Sequence, residues 1–158
     1  GNMIRLIDVT PENWRLRLNV AKAQEKYVAD KTVIMARAYA YRSRRSRAFF
    51  IYDEEIPIGM GLYYDCPERV SYDISQIFID ERYQGRGYGK AAMQLLLDEM
   101  KLDGKYKKVM LCYIAGNDIA QNMYKQLGFV EIGRDEDKII MEMTLPDDKF
   151  ESNLWSVL

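Results

Sequence analysis

Ile77-Phe78-Ile79-Asp80-Glu81-Arg82-Tyr83-Gln84-Gly85-Arg86-Gly87-Tyr88-Gly89-Lys90 joins two kinds of periodicity. Its first three residues end a β-rich run that starts at Val70. From Gly87 to Lys101 apolar residues recur at Ala92, Leu95, Leu96 and Met100, which is helical spacing. A strand therefore feeds a glycine-rich turn that opens a helix. Three glycines let the backbone turn tightly and aim successive N–H groups at one spot. The first N–H groups of a helix lack partners and sit at the positive end of its dipole. The segment predicts a cradle for a pyrophosphate. It is not a Walker A loop: ending one at Gly89-Lys90 puts Gln84 where glycine is needed and Ala91 where the hydroxyl is needed. It is not a dinucleotide fingerprint either, because Lys90 stands where Gly or Ala should follow Gly87 by three residues.

Working outward, Met3 to Val9 alternates apolar and charged residues and reads as a strand. Thr10-Pro11 reads as N-cap and first residue of a short helix through Val20. Thr32 to Tyr41 reads as a second helix. Ala48 to Tyr52 and Ile56 to Tyr64 read as a hairpin, with Gly59 and Gly61 marking a bulge or close backbone approach. Beyond the glycine loop, Lys108 to Ile114 is a predicted strand and Asp118 to Leu127 a helix stopped by Gly128. Phe129 to Arg134 and Lys138 to Leu145 form a closing hairpin. A strand, two helices and three antiparallel strands thus lead into a β-α-β-α-β-β run. The predicted fold is α/β, a central mostly antiparallel sheet with one parallel crossover and helices on both faces. One domain over residues 3–145 is expected, with a tail over 146–158 that carries Trp155; Gly1 and Asn2 before Met3 read as a cloning scar.

Composition narrows the chemistry. The chain has 158 residues and a net charge of -1, a balance without the basic surplus of nucleic-acid domains. The run Arg42-Ser43-Arg44-Arg45-Ser46-Arg47 reads as a solvated helix end. No apolar run approaches the length of a membrane span. The two cysteines, Cys66 and Cys112, make no disulfide framework and fit a cytoplasmic location; Cys112, in an apolar strand, reads as a small core residue. Histidine is absent, which removes His-based triads and most zinc sites, so no metal is expected.

Ile77 to Gly89 resembles the coenzyme A loop of the GCN5-related N-acetyltransferase (GNAT) superfamily, whose pattern is Gln/Arg-x-x-Gly-x-Gly/Ala after its fourth strand. Gln84, Gly87 and Gly89 match it. Asn117-Asp118-Ile119-Ala120-Gln121-Asn122-Met123-Tyr124-Lys125-Gln126-Leu127-Gly128-Phe129 is similar to the same superfamily's Asn-x-x-Ala-x-x-x-Tyr-x-x-x-Gly-Phe segment. The resemblance spans roughly residues 3 to 145. A narrower one, at Asn13-Trp14, at Gln24-Glu25-Lys26-Tyr27-Val28-Ala29 and at Phe78 to Gly89, is to bacterial spermine/spermidine N-acetyltransferases.

The resemblance implies acetyl-CoA as cosubstrate and direct transfer of acetyl to a primary amine, a polyamine or diamine by the narrower likeness. It implies that Ile77, Phe78 and Ile79 pair with the pantetheine arm and that Gly85, Arg86, Gly87, Tyr88, Gly89 and Lys90 hold the pyrophosphate after Gln84. Asn117 is implied near the pantetheine and Tyr124 as the acid that protonates the leaving thiolate. Some polyamine-acetylating relatives carry a carboxylate where Ser75 stands here. Serine cannot act as base unaided, so Asp73, two residues earlier on the same strand face, is the candidate base, with Glu81 as runner-up. Glu25 and Tyr27 are the substrate candidates. The open alternatives are an aminoglycoside, an amino acid or a protein N-terminus as acceptor, or a non-catalytic acetyl-CoA-binding module. No nucleic acid or membrane partner is expected, and the resemblance leaves room for a homodimer.

Overall fold

The structure is a computed structural model, and it describes residues 3–147. Seven strands form one sheet: β1 (Ile4–Asp8), β2 (Arg47–Asp53), β3 (Ile56–Cys66), β4 (Ser71–Ile79), β5 (Lys108–Ile114), β6 (Val130–Asp135) and β7 (Lys138–Thr144). The order across the sheet is β1-β2-β3-β4-β5-β7-β6, and every neighbouring pair is antiparallel except β4–β5. The parallel pair needs a crossover, which α2 (Tyr88–Asp103) supplies. The mixed sheet with one parallel βαβ unit is the one the sequence predicts.

Two apolar clusters cover the two faces. On one, Ala92, Met93, Leu96 and Met100 of α2 pack with Tyr72, Ile74, Val109 and Leu111, and Tyr124 of α3 (Asp118–Leu127) joins them. On the other, Ile34 of α1 (Lys31–Ala40) packs with Leu18, Phe50, Met60, Leu62 and Phe78. The strand glycines serve close approach: a Cβ on Gly61 would lie 2.4 Å from the Phe49 ring, and one on Gly59 would lie 2.4 Å from the Phe78 carbonyl oxygen.

One expectation is corrected and another is narrowed. No α-helix runs from Thr10 to Val20; Pro11 to Arg15 form turns and the chain then runs irregularly to Ala21. One turn forms, with Trp14 N–H donating to the Thr10 carbonyl at 3.1 Å, and side chains close it off before a helix can continue. Asn13 Oδ1 accepts from Thr10 N–H at 2.7 Å, and Asn13 Nδ2 donates to the Asp8 carbonyl at 2.8 Å. Lys31 Nζ donates to the carbonyls of Trp14 and Leu16. The arginine run does follow the end of α1, with Arg42, Ser43 and Arg45 exposed, but three of its cations are paired rather than merely solvated. Arg45 bonds Asp65 and Asp103, and Arg47 bonds Asp8 and Glu99, so these two tie the sheet to α2; Arg44 bonds Glu68 in the turn between β3 and β4. Trp155 and the tail beyond Asp147 lie outside the described residues.

Candidate active site

β4 and β5 pair over only four positions, from Ser71–Lys108 to Ile74–Leu111. At the next residue β4 bulges. Leu62 of β3 pairs with Gln76 and Tyr63 pairs with Ile74, so Ser75 is the extra residue. Beyond that point the two strands have no ladder between them. A cleft of about 850 Å³ opens in the gap, with Ile74 to Ile79 on one wall and Cys112 and Tyr113 on the other.

At one end the cleft is floored by the glycine loop. Gly85 and Gly87 have φ of +78° and +81°, a left-handed backbone that favours glycine. A Cβ on either would meet no atom within 4 Å, so both present bare backbone to open space. Gly87 is the N-cap of α2 and no side chain caps that helix. Its first N–H groups therefore remain for a ligand, and the helix dipole makes that ligand an anion. Gly89 sits where α2 and α3 touch: its Cβ would lie 3.3 Å from Met123 Sδ. Gln84 Nε2 donates to the Ile79 carbonyl at 3.2 Å, which fixes the turn to the end of β4.

Of the residues read from the sequence, Ile77, Phe78, Ile79, Gln84, Gly85, Gly87, Tyr88, Gly89, Lys90, Asn117, Tyr124 and Tyr27 line the cleft. Arg86 does not. It is exposed, with its guanidinium 5.8 Å from the Tyr83 ring centroid. The Tyr88 hydroxyl points to Asp53, to which it donates at 2.7 Å. Glu81 is exposed outside the cleft.

Tyr124 is 8% exposed and packs between Tyr113 and Phe129, at ring-centroid distances of 6.0 and 5.9 Å. Desolvation pushes its phenol up to about 12, so it stays protonated at neutral pH. Asn117 caps α3, its Oδ1 accepting from Ala120 N–H at 3.3 Å, and this places Asn117 and Tyr124 two turns apart on the cleft side of one helix.

The acceptor end is built by the segment between β1 and α1. Val20, Gln24, Tyr27 and Val28 line it. Glu25 lies on the same turn but is exposed and outside the wall. Tyr27 reaches across to the β5–α3 loop, where its hydroxyl would lie 3.2 Å from a Cβ on Gly116. Ser75 lines the cleft and accepts from Arg37 at 3.1 Å. Asp73 shares that face but lies one step below the splay, outside the wall. Burial pushes its carboxyl up to about 6 against the pull of Arg37, Arg44 and Arg69. Cys112 is exposed and lines the cleft, which corrects its reading as a core residue. Past Leu111, β5 stays paired to β7 but loses β4, so Cys112 borders the open gap. Ser75, Gln76 and Cys112 are wall residues that sequence reasoning missed as site members; the bulge that turns them to the cleft leaves no mark on alternation.

The acetyltransferase (GNAT) family profile matches residues 12–129. The chain belongs to the GNAT family. It is therefore an N-acetyltransferase that uses acetyl-CoA, and the open strand edge and bare glycine loop fit that cosubstrate. A spermine/spermidine N(1)-acetyltransferase of Bacillus subtilis (strain 168) is 28% identical over 137 residues, covering 80% of this chain and 87% of the relative. Among solved structures, the spermidine N-acetyltransferase of Vibrio cholerae in complex with CoA and spermine matches this GNAT chain with a TM-score of 0.70 at 18% identity, over 90% of this chain and 95% of that one. The ribosomal-protein-S18-alanine N-acetyltransferase of Escherichia coli also matches with a TM-score of 0.70, at 17% identity, over 92% and 96% of the two chains. Acceptors that differ this much share one GNAT fold equally well, so the backbone alone carries no acceptor identity. Among the described residues no cluster of three His, Cys, Asp or Glu side chains is placed to hold a metal, and no helix is long and apolar enough to cross a membrane.

Proposed function

We propose that residues 3–145 act as one cytoplasmic domain that moves acetyl from acetyl-CoA to a primary amine of a polyamine or diamine, in a ternary complex. The observation that carries this is the cleft between β4 and β5, open to a coenzyme at the glycine loop and to an acceptor at the Val20–Val28 wall. The likeness to the B. subtilis enzyme supports the acceptor class. The two unpaired thiols support a reducing compartment, and the bacterial relatives support a bacterial source.

The transfer forms a nitrogen–carbon bond and breaks the carbon–sulfur bond. Starting from the ammonium form, the nitrogen loses two protons. One is taken by the base and released to solvent; the other is lost as the amide forms and is balanced by the proton the leaving thiolate gains. A free alkylamine has a pKa near 10, so about one molecule in a thousand or fewer is neutral at pH 7. Asp73, with its carboxyl at about 6, is ionised at pH 7 and is the base, reached through water because it lies outside the wall that Ser75 and Cys112 line. Tyr124 is the acid. Its buried phenol holds a proton well above neutral pH and lies on the cleft wall.

The free edge of Ile77 to Ile79 offers backbone N–H groups to the pantetheine arm and to the thioester oxygen as charge develops there. Gly85, Gly87 and the N-terminus of α2, with Lys90 nearby, hold the pyrophosphate; Asn117 borders the pantetheine. Tyr27 shapes the acceptor end, and Glu25 meets the distal ammonium groups at its rim.

Steady-state turnover tests the acceptor class. Spermidine should be acetylated with a kcat/KM at least tenfold above that of butylamine at low salt, and its KM should rise with ionic strength, because exposed charge pairs are screened over about 10 Å at 0.1 M. Equal kcat/KM for the two amines would remove the polyamine assignment.

A further inference from the structure

The wall that faces the acceptor is made of chain without α-helix or strand, yet it is fixed to β4 at two points. At one end Ala29 N–H donates to Gln76 Oε1 at 3.2 Å. At the other the contact runs to Asp80, the first residue beyond β4, which is 0% exposed. Asp80 Oδ2 accepts from Asn19 N–H at 2.8 Å, and the neighbouring Glu81 N–H donates to the Asn19 carbonyl at 3.0 Å. Asp80 Oδ1 accepts from the Arg82 backbone N–H at 2.9 Å and from Arg82 Nε at 2.8 Å. The Asp80 N–H donates to the Ile58 carbonyl at 2.7 Å. Burial alone would raise this carboxyl, but the bonds from Arg82 and Asn19 outweigh it and hold it below the usual carboxylate range. The charge is therefore kept, and kept in place, at neutral pH.

The two elements joined at this carboxylate are the two halves of the cleft. Val20, next to Asn19, lines the acceptor wall. Ile79 on one side of Asp80, and Tyr83 and Gln84 on the other, line the coenzyme side. A side chain bonded to both cannot follow one without displacing the other.

We propose that Asp80 is a positioning residue that sets the acceptor wall against the coenzyme loop, so that acceptor affinity depends on it while coenzyme affinity does not. This rests on the cleft's reading as an acetyl-CoA and amine site. Coenzyme binding needs the bare glycines and the α2 N-terminus, which Asp80 does not touch. Acceptor binding needs Val20 to Tyr27 in register with the thioester, and that register passes through the Asn19 bond.

Asp80→Asn keeps the shape and weakens the accepted bonds. It should raise acceptor KM roughly tenfold, the scale of a bond to a charged group, with coenzyme A affinity by calorimetry unchanged within twofold. Asn19→Pro removes the donor from the other side and should raise acceptor KM alike; the double variant should rise no further, because both changes break one bond. A rise that multiplies in the double variant, equal losses of acceptor and coenzyme affinity, or an unmoved acceptor KM would each overturn the proposal. Should either variant fail to fold, native-state hydrogen exchange on the unmodified protein decides it. Saturating spermidine, added to the coenzyme A complex, should slow exchange at the Asn19 amide relative to amides of the sheet core, and coenzyme A alone should not; an Asn19 rate unmoved by spermidine overturns the proposal. A protein that binds coenzyme A and acetylates no amine defeats the functional reading instead.

Discussion

Ile74 and Leu111 form the last pair that joins β4 to β5, and Ser75, the residue that follows Ile74, is the bulged one. Parallel pairing and flat pleating stop together. The loss of register frees the edge of Ile77 to Ile79, and the twist of the bulge carries it away from Cys112 and Tyr113. Both substrates need that gap: a coenzyme arm enters along one strand edge and an amine approaches from the other side.

Coenzyme A should stabilise the fold. At a hundred times its Kd the gain is about 2.7 kcal/mol, a rise in Tm visible by calorimetry. Gly87→Glu should abolish that rise, since position 87 has φ of +81° and faces open cleft where a carboxylate would meet the pyrophosphate. An equal Tm rise in the variant would place the pyrophosphate elsewhere.

Tyr124→Phe keeps the ring and its packing on Tyr113 and Phe129 and loses the hydroxyl. kcat should fall roughly 10²-fold or more, with coenzyme A affinity little changed. Because the phenol titrates at about 12, the wild-type rate should show no alkaline decline from this group below pH 10. Wild-type turnover in the Phe variant would assign the acid role to another group.

Asp73 makes two linked predictions. Its base form exists above about 6, so kcat/KM should rise with pH through that value, and Asp73→Asn should lose the limb. Its folded pKa lies above the unfolded one, so its contribution to stability is fully present below about 4 and is lost as pH rises through about 6. Asp73→Asn should therefore be more stable than wild type at pH 8, and no more stable at pH 4. Denaturant midpoints at the two pH values check the sign; the reverse order would show that Arg37, Arg44 and Arg69 outweigh burial.

Gly61→Ala should destabilise by about 1–3 kcal/mol, the scale of overpacking a tight core, because the new methyl group meets the Phe49 ring. Gly133→Ala on β6, with nothing within 4 Å of its Cβ, should change the urea midpoint far less.

Much of this was legible in the chain, for identifiable reasons. Strand alternation, the helical spacing after Gly87 and the stop at Gly128 are local signals, and each element they marked exists. The glycine loop was readable because strand, glycines and helix are contiguous. Residues 11–20 were misread because backbone groups of Trp14 and Leu16 bond to Lys31 and that of Asn19 bonds to Asp80, partners far along the chain. The exposure of Cys112 depends on a splay that starts at a bulge in the preceding strand, more than thirty residues back, which no local pattern records. Glu25 was read from likeness alone, and its distance from the wall follows from which side of one turn faces inward.

The central claim is transfer of acetyl to an amine, and the most direct measurement counts both products. Protein, acetyl-CoA and spermidine are mixed, and free coenzyme A thiol and N-acetylated amine are quantified together by mass spectrometry over many turnovers. The account predicts one thiol released for each acetylated amine, with release dependent on the amine. Tight coenzyme A binding with thiol release no faster in the presence of spermidine, or of any primary amine, than in its absence would contradict it.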